Sequence, residues 1–208
     1  GGKWDSHAWF IREVQIPDDW KGKDVRLFVS AGKDGQWGVN NSQFIAYVDG
    51  ELRQGMDTNH TQVYLPTCNK DKMQVALYAY AGTAGGLSEF AAELVLADPE
   101  AEALYYDLKV PFEILEFSDP NSKEYADILH ILNEAINHMD CRVVGSGAFR
   151  EGIRKGCAYL KTELYEKYSR DQRETVICMG HTHIDVAWKW TLAVTEDKAV
   201  RSFSTVLE

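Results

Sequence analysis

The sequence predicts a multi-domain chain, mainly β at first and α/β at its end. An antiparallel β-sandwich is expected over residues 1–97, a helical hairpin linker within 98–173, and the opening βα unit of an α/β domain over 174–208. Three observations carry this. Up to about residue 97 the apolar residues come in short runs divided by turn residues. After Asp98-Pro99 the apolar period lengthens from two residues to 3.6. Near the end, a continuous apolar run leads through a polar loop into a second helical pattern.

The sandwich strands are read at Trp9 to Ile16, Val25 to Val29, Phe44 to Val48, Gln62 to Leu65, Met73 to Tyr80 and Phe90 to Leu96. Val75, Leu77 and Ala79 alternate with Gln74, Ala76 and Tyr78, as a strand covered on one face requires. Turn signals stand between the runs, at Pro17-Asp18, Lys21-Gly22, Gly32 to Gly38, Asp49-Gly50 and Gly82 to Gly86. Asp49-Gly50 is the sharpest of them, because a two-residue hairpin turn needs positive φ at both central positions. It predicts that Phe44 to Val48 pairs with the segment starting Glu51-Leu52-Arg53.

Behind Asp119-Pro120, the residues Tyr125, Ile128, Leu129, Leu132, Ile136 and Met139 fall at helical spacing. A second stripe follows Ser146, with Phe149, Ile153, Cys157, Leu160, Leu164 and Tyr168 on one face. The two are expected to pair as a helical hairpin, with both stripes in its core. The charged segment Ser169 to Glu174 then leads into Thr175-Val176-Ile177-Cys178-Met179-Gly180, read as a buried parallel strand. Thr195, with Glu196 and Asp197 after it, reads as the cap of a final helix carrying Val200, Phe203, Val206 and Leu207.

Bulk composition narrows the function classes. With 45% hydrophobic and 26% charged residues the chain can bury a core, and its 208 residues allow one large domain, or one domain and part of another. A net charge of −10 repels phosphate backbones and anionic membrane faces, so nucleic acid and membrane are not expected partners. Cys68, Cys141, Cys157 and Cys178 are dispersed without a CxxC pair, and no apolar stretch reaches the ~20 residues of a membrane span. Together with the lack of a leader pattern, these features suggest a cytoplasmic protein. The triplets Asn40-Asn41-Ser42 and Asn59-His60-Thr61 match the glycosylation pattern, which acts only in secreted chains.

The chemistry concentrates in Gly180-His181-Thr182-His183-Ile184-Asp185-Val186-Ala187-Trp188-Lys189-Trp190, placed at the carboxyl end of the expected strand, where α/β folds build their sites. In an extended backbone, residues two apart share a face, so His181, His183 and Asp185 can point together. Imidazole and carboxylate suit zinc. The acidic Glu196 and Asp197 are read as serving the helix dipole instead.

His183-Ile184-Asp185-Val186-Ala187-Trp188, with the downstream Arg201-Ser202-Phe203-Ser204, resembles the segment that opens the catalytic domain of class II α-mannosidases of glycoside hydrolase family 38. Trp37, Tyr47 to Glu51 and Gln54 to His60 resemble the β-sandwich that precedes the barrel-like domain in one branch of that family. The resemblance implies a retaining, zinc-dependent glycosidase that cuts terminal α-mannosidic bonds, with one zinc per site. It implies that His183 and Asp185 are two of the zinc ligands, that Trp188 stacks on the mannose ring and that His181 supports the site. It also implies that the nucleophile and the general acid lie beyond Glu208, so that none of the catalytic carboxylates is among these residues and the fragment alone is inactive. A carbohydrate is the expected partner, and a homo-oligomer is compatible with the sequence.

Two other readings remain at this point. Metal-dependent amidohydrolases also place His-x-His after a first barrel strand, although Ala187-Trp188 and Phe203 speak against them. A free-standing sandwich could instead act as a non-catalytic carbohydrate-binding or docking module. The loop Gln54 to His60 is polar enough to approach a sugar, though a plain structural turn accounts for it as well.

Overall fold

The computed structural model describes residues 6–30, 43–65, 70–80, 90–168, 175–188 and 190–207. The readings that fall on Trp37, Cys68, the triplet at 40–42, the turns at 32–38 and 82–86, the charged segment 169–174 and Lys189 lie outside these residues. The chain divides into two compact units, residues 1–97 with 178–208, and residues 98–177. Among the described residues no helix is long and apolar enough to cross a membrane.

Among the described residues the first unit has seven strands: β1 (His7–Gln15), β2 (Val25–Ser30), β3 (Gln43–Val48), β4 (Glu51–Met56), β5 (Gln62–Tyr64), β6 (Lys72–Tyr80) and β7 (Ala91–Leu96). They form a four-stranded sheet in the order β1-β6-β3-β4 and a three-stranded sheet in the order β5-β2-β7. Every pairing is antiparallel. The expected hairpin is present: Asp49 and Gly50 have φ of 51° and 83°, and β3 pairs with β4 across them.

Alternation sorts the side chains. Phe44, Ala46, Val48, Met73, Val75 and Leu77 meet Val25, Leu27, Val29 and Val63 in one buried cluster. Each fully buried side chain of this size contributes ~1.5–3 kcal/mol of apolar burial. Residues between these positions point to the other face of the larger sheet, and Gly55 is one of them, since its neighbour Met56 is in the core. Across that face, over β4 and β3, packs the helix Leu192–Leu207.

Among the described residues the second unit contains three helices where the sequence predicted a hairpin of two. They are α1 (Pro99–Leu115), α2 (Lys123–Asn137) and α3 (Gly147–Leu160), so the helix Leu192–Leu207 is α4; α3 widens into a π-helical stretch over Lys161–Tyr168. Leu104, Leu115, Leu132, Ala135, Ile153, Leu160 and Leu164 form its core. Asp98, Ser122 and Ser146 each cap a helix, accepting from the backbone N–H of Ala101, Tyr125 and Phe149. α1 lacks a clean apolar stripe, which hid it: Tyr105, Tyr106, Val110, Phe112 and Ile114 are all exposed, and Pro111 inside it looks like a break. Its start signal, Asp98 as cap with Pro99 in the first turn, is nevertheless in the sequence.

The strand expected over Thr175 to Gly180 is not formed among the described residues. Thr175 to Gly180 carry no regular secondary structure and are exposed, Val176 by 82% and Met179 by 83%. An apolar run becomes a parallel strand only where neighbours supply hydrogen-bond partners on its edges, and among the described residues none does so. The final helix also starts one turn earlier than predicted. Its cap is Thr191, whose hydroxyl accepts from the N–H of Val194, and Thr195 lies inside the first turn.

Candidate functional site

A cleft of about 320 Å³ opens in the first unit, at the lower end of the ~300–1,000 Å³ usual for ligand pockets. Its walls come from three stretches of sequence: Gln43 and Gly55 to Asp57 with His60 from the sandwich, His181 to Ile184 with Trp190 from the motif loop, and Lys198 to Val206 from α4.

α4 reaches this position because of Gly55. A Cβ there would stand 2.6 Å from the Cβ of Arg201 and 2.8 Å from its carbonyl oxygen, closer than such atoms approach, so only glycine lets the helix lie on β4. The hydroxyl of Thr205 shares its proton between the carbonyl of Arg201 at 2.8 Å and that of Gly55 at 3.2 Å. Val194, Lys198, Arg201 and Thr205, spaced by four, three and four, are all wholly or partly buried. Arg201 is only 8% exposed and donates to Oε1 of Gln43 at 2.9 Å. Burial pushes its pKa down, an effect that the carboxylates of Asp197 and Asp57 oppose. Burial, and then the charge of Arg201, likewise lower the pKa of Lys198, whose ammonium sits 4.0 Å above the ring of Trp190.

Within the sandwich wall, Asp57 organises a turn. Its Oδ1 accepts from the N–H of Asn59 at 2.8 Å and of His60 at 2.9 Å, and lies 3.0 Å from Nδ1 of His60. Burial alone would raise the Asp57 pKa, but these hydrogen bonds outweigh it and hold the carboxyl below its ordinary value. Because a carboxylate only accepts, Nδ1 of His60 carries the proton in this contact, and Nε2 is the nitrogen with no partner among the described residues.

In the motif loop, Nε2 of His181 and Nε2 of His183 lie 3.0 Å apart, their rings crossing at 74°. One must donate to the other, since two bare lone pairs would repel. The loop is held by the hydroxyl of Thr195, which accepts from the N–H of Ala187 at 3.1 Å and from Nε1 of Trp190 at 3.2 Å. Ala187 takes a left-handed φ of 54° in doing so, a conformation that costs a non-glycine residue of order 1 kcal/mol.

The predicted site residues are thus distributed unevenly. His181 and His183 come together in the cleft. Asp185 and Trp188 are exposed and do not line it, and Trp188 is packed edge-on against Trp190 at 5.6 Å. Trp190 and Arg201, which lie in the motifs read from the sequence but received no role there, line the cleft together with Lys198 and Gln43, which were not singled out. The signal that could have found Arg201 is its place, with Lys198, on the stripe shared by Val194 and Thr205. As a metal centre, the site offers the nitrogen donors that zinc takes, but among the described residues no three His, Cys, Asp or Glu side chains converge to hold an ion.

Comparison with known proteins adds an independent line. The profile of the Glycosyl hydrolases family 38 N-terminal domain matches residues 173–208. Alpha-mannosidase G of Dictyostelium discoideum is 23% identical over 99% of this chain, and Alpha-mannosidase 2C1 of Mus musculus is 23% identical over 96%. Alpha-mannosidase 2C1 of Homo sapiens is 24% identical over 97%. The chain spans about a fifth of the length of these relatives, 19% of the first and 20% of the others.

Proposed function

Taking as premise that the chain is akin to the amino-terminal region of class II α-mannosidases of family 38, we propose that it is part of a retaining, zinc-dependent α-mannosidase acting on terminal α-mannosides of glycans or oligosaccharides. The single observation that carries this is the coincidence of the matched segment 173–208 with the wall of the cleft that holds His181 and His183.

In this reading His183 and Asp185 are two ligands of one zinc ion, His181 supports them and Trp188 stacks on the sugar. Zinc, when bound, would hold and orient sugar hydroxyls at the reacting ring. The described residues supply donors of the right type but too few, so the remaining ligands belong to other parts of a longer protein. Exposed apolar residues support such a completion, since Val176, Ile177, Met179 and Phe203 are 82%, 81%, 83% and 56% exposed. Segment 175–182 would gain its strand partners, and the start of a barrel-like domain, in the same way. Retention requires two carboxyl groups ~5–5.5 Å apart across the anomeric carbon. Asp185 is assigned here to the metal alone, and the nucleophile and the acid are assigned to that longer protein.

The test is hydrolysis of an aryl α-mannoside by the full-length protein carrying this chain. His183→Ala and Asp185→Ala should each abolish turnover and the bound zinc measured by atomic emission. Trp188→Ala should cost about fivefold, as the loss of ~1 kcal/mol of stacking implies. The isolated chain should retain no stoichiometric zinc after mild chelation. Wild-type turnover by His183→Ala in metal-free buffer would refute the assignment.

A further inference from the structure

The turn Asp57 to His60 belongs to the sandwich, yet it lines the same cleft as His181 and His183, more than 100 residues later in the chain. Three features make it a built wall rather than a chance neighbour. The backbone of β4 is locked to α4 by the close approach at Gly55 and by the bond from Thr205 to its carbonyl. The two residues of the turn that face the cleft are bonded to each other, Asp57 Oδ1 to His60 Nδ1 at 3.0 Å. That bond places a proton on Nδ1, so in the neutral imidazole Nε2 is an acceptor, and it has no partner among the described residues. The lining sets the charged Asp57, Lys198 and Arg201 beside His60, hydroxyls on Ser202 and Thr205, an amide on Gln43 and an indole, a mixture of donors, acceptors and an aromatic face that suits sugar hydroxyls.

We propose that His60, held by Asp57, accepts a hydrogen bond from a hydroxyl of a second sugar ring, the one next to the mannosyl unit, so that the sandwich selects what that unit is attached to. This rests on the α-mannosidase reading, in which the motif loop side of the cleft holds the ring being cut; the sandwich wall then meets its neighbour. No proton is transferred by His60 and no bond is made or broken there. It is a specificity residue, and its effect scales with the presence of the second ring.

The experiment uses the full-length protein with His60→Ala and His60→Gln, and circular dichroism to establish that both fold. Hydrolysis is compared on p-nitrophenyl α-mannoside and on an α-linked mannobiose, and binding of a thio-linked, non-hydrolysable mannobiose is measured by calorimetry. His60→Ala should lower kcat/KM on mannobiose about tenfold, mostly through KM, as expected for one hydrogen bond, and by no more than about threefold on the aryl substrate. The Kd for the thio-mannobiose should rise about tenfold, and His60→Gln, whose amide oxygen can accept, should recover part of both losses. Equal losses on the two substrates, or no loss on either, overturn the proposal. A wild-type protein that hydrolyses no α-mannoside defeats the enzyme reading instead. The binding arm then decides alone: thio-mannobiose bound by wild type and weakened in His60→Ala supports the wall, whereas equal binding or none overturns it.

Discussion

The two units of the chain each bury an apolar cluster, yet they use their polar side chains differently. In the helical unit the polar contacts are mostly short-range and exposed: Lys123 with Asp127, Arg154 with Glu151, Lys167 with Glu163, each three or four residues apart. Pairs of this kind contribute only ~0.2–0.5 kcal/mol each and could be exchanged with little effect. In the sandwich unit, Arg201 reaches Gln43 across 158 residues of sequence and Thr205 reaches Gly55 across 150. Convergence of that kind is costly in chain entropy and is where a site can be built. The helical unit is a scaffold, and the sandwich unit with α4 is the candidate for chemistry.

Stability measurements can break this contrast. The largest effect is expected for Leu160→Ala, which empties a side chain with no exposed surface in the helical core and should cost ~2–5 kcal/mol. Urea denaturation followed by helical circular dichroism measures it; a loss below ~1 kcal/mol would mean that the three helices are not packed around Leu160. Next comes Gly55→Ala, which adds a methyl group 2.6 Å from the Cβ of Arg201. Overpacking of this sort costs ~1–3 kcal/mol, and here it should lift α4 from the sheet. Hydrogen exchange should show amides of α4 losing protection while those of β6 keep theirs, and unchanged α4 protection would show that the helix does not depend on this contact. Ser146→Ala removes a cap from α3 and should cost ~1 kcal/mol in the same denaturation assay, since the N–H of Phe149 loses its acceptor.

The contrast also explains what was legible in the sequence. The strands were, because period-two alternation and the turn Asp49-Gly50 are local signals, and so were the stripes of α2 and α3, although α2 is capped by Ser122 rather than started at Asp119-Pro120. α1 was not, because its apolar residues face both ways and a proline interrupts the pattern. The fate of Val176-Ile177-Cys178-Met179 was not either, because whether an apolar run pairs as a strand depends on edges that lie elsewhere. In the site, His181 and His183 stood out through their spacing alone. Arg201, Lys198 and Gln43 acquire meaning only when α4 is seated on β4, a contact that depends on the single missing Cβ at Gly55.

The smallest expected effect tests the part of the cleft that is least visible in sequence. Asp57 is pushed up by burial and pulled down further by the N–H groups of Asn59 and His60 and by the His60 ring, so its carboxyl titrates below the ordinary 3.8. A carboxylate whose folded pKa is depressed contributes stability that is fully present above its unfolded pKa and is lost as pH falls through the folded one. The turn should therefore hold at neutral pH, and only in acid, below 3.8, should its three hydrogen bonds to Oδ1 weaken together. The amide resonances of Asn59 and His60, followed by NMR against pH, should share one midpoint below that value, and in Asp57→Asn that step should vanish because nothing is left at position 57 to titrate. A shared midpoint at or above 3.8 would mean that burial wins over the hydrogen bonds.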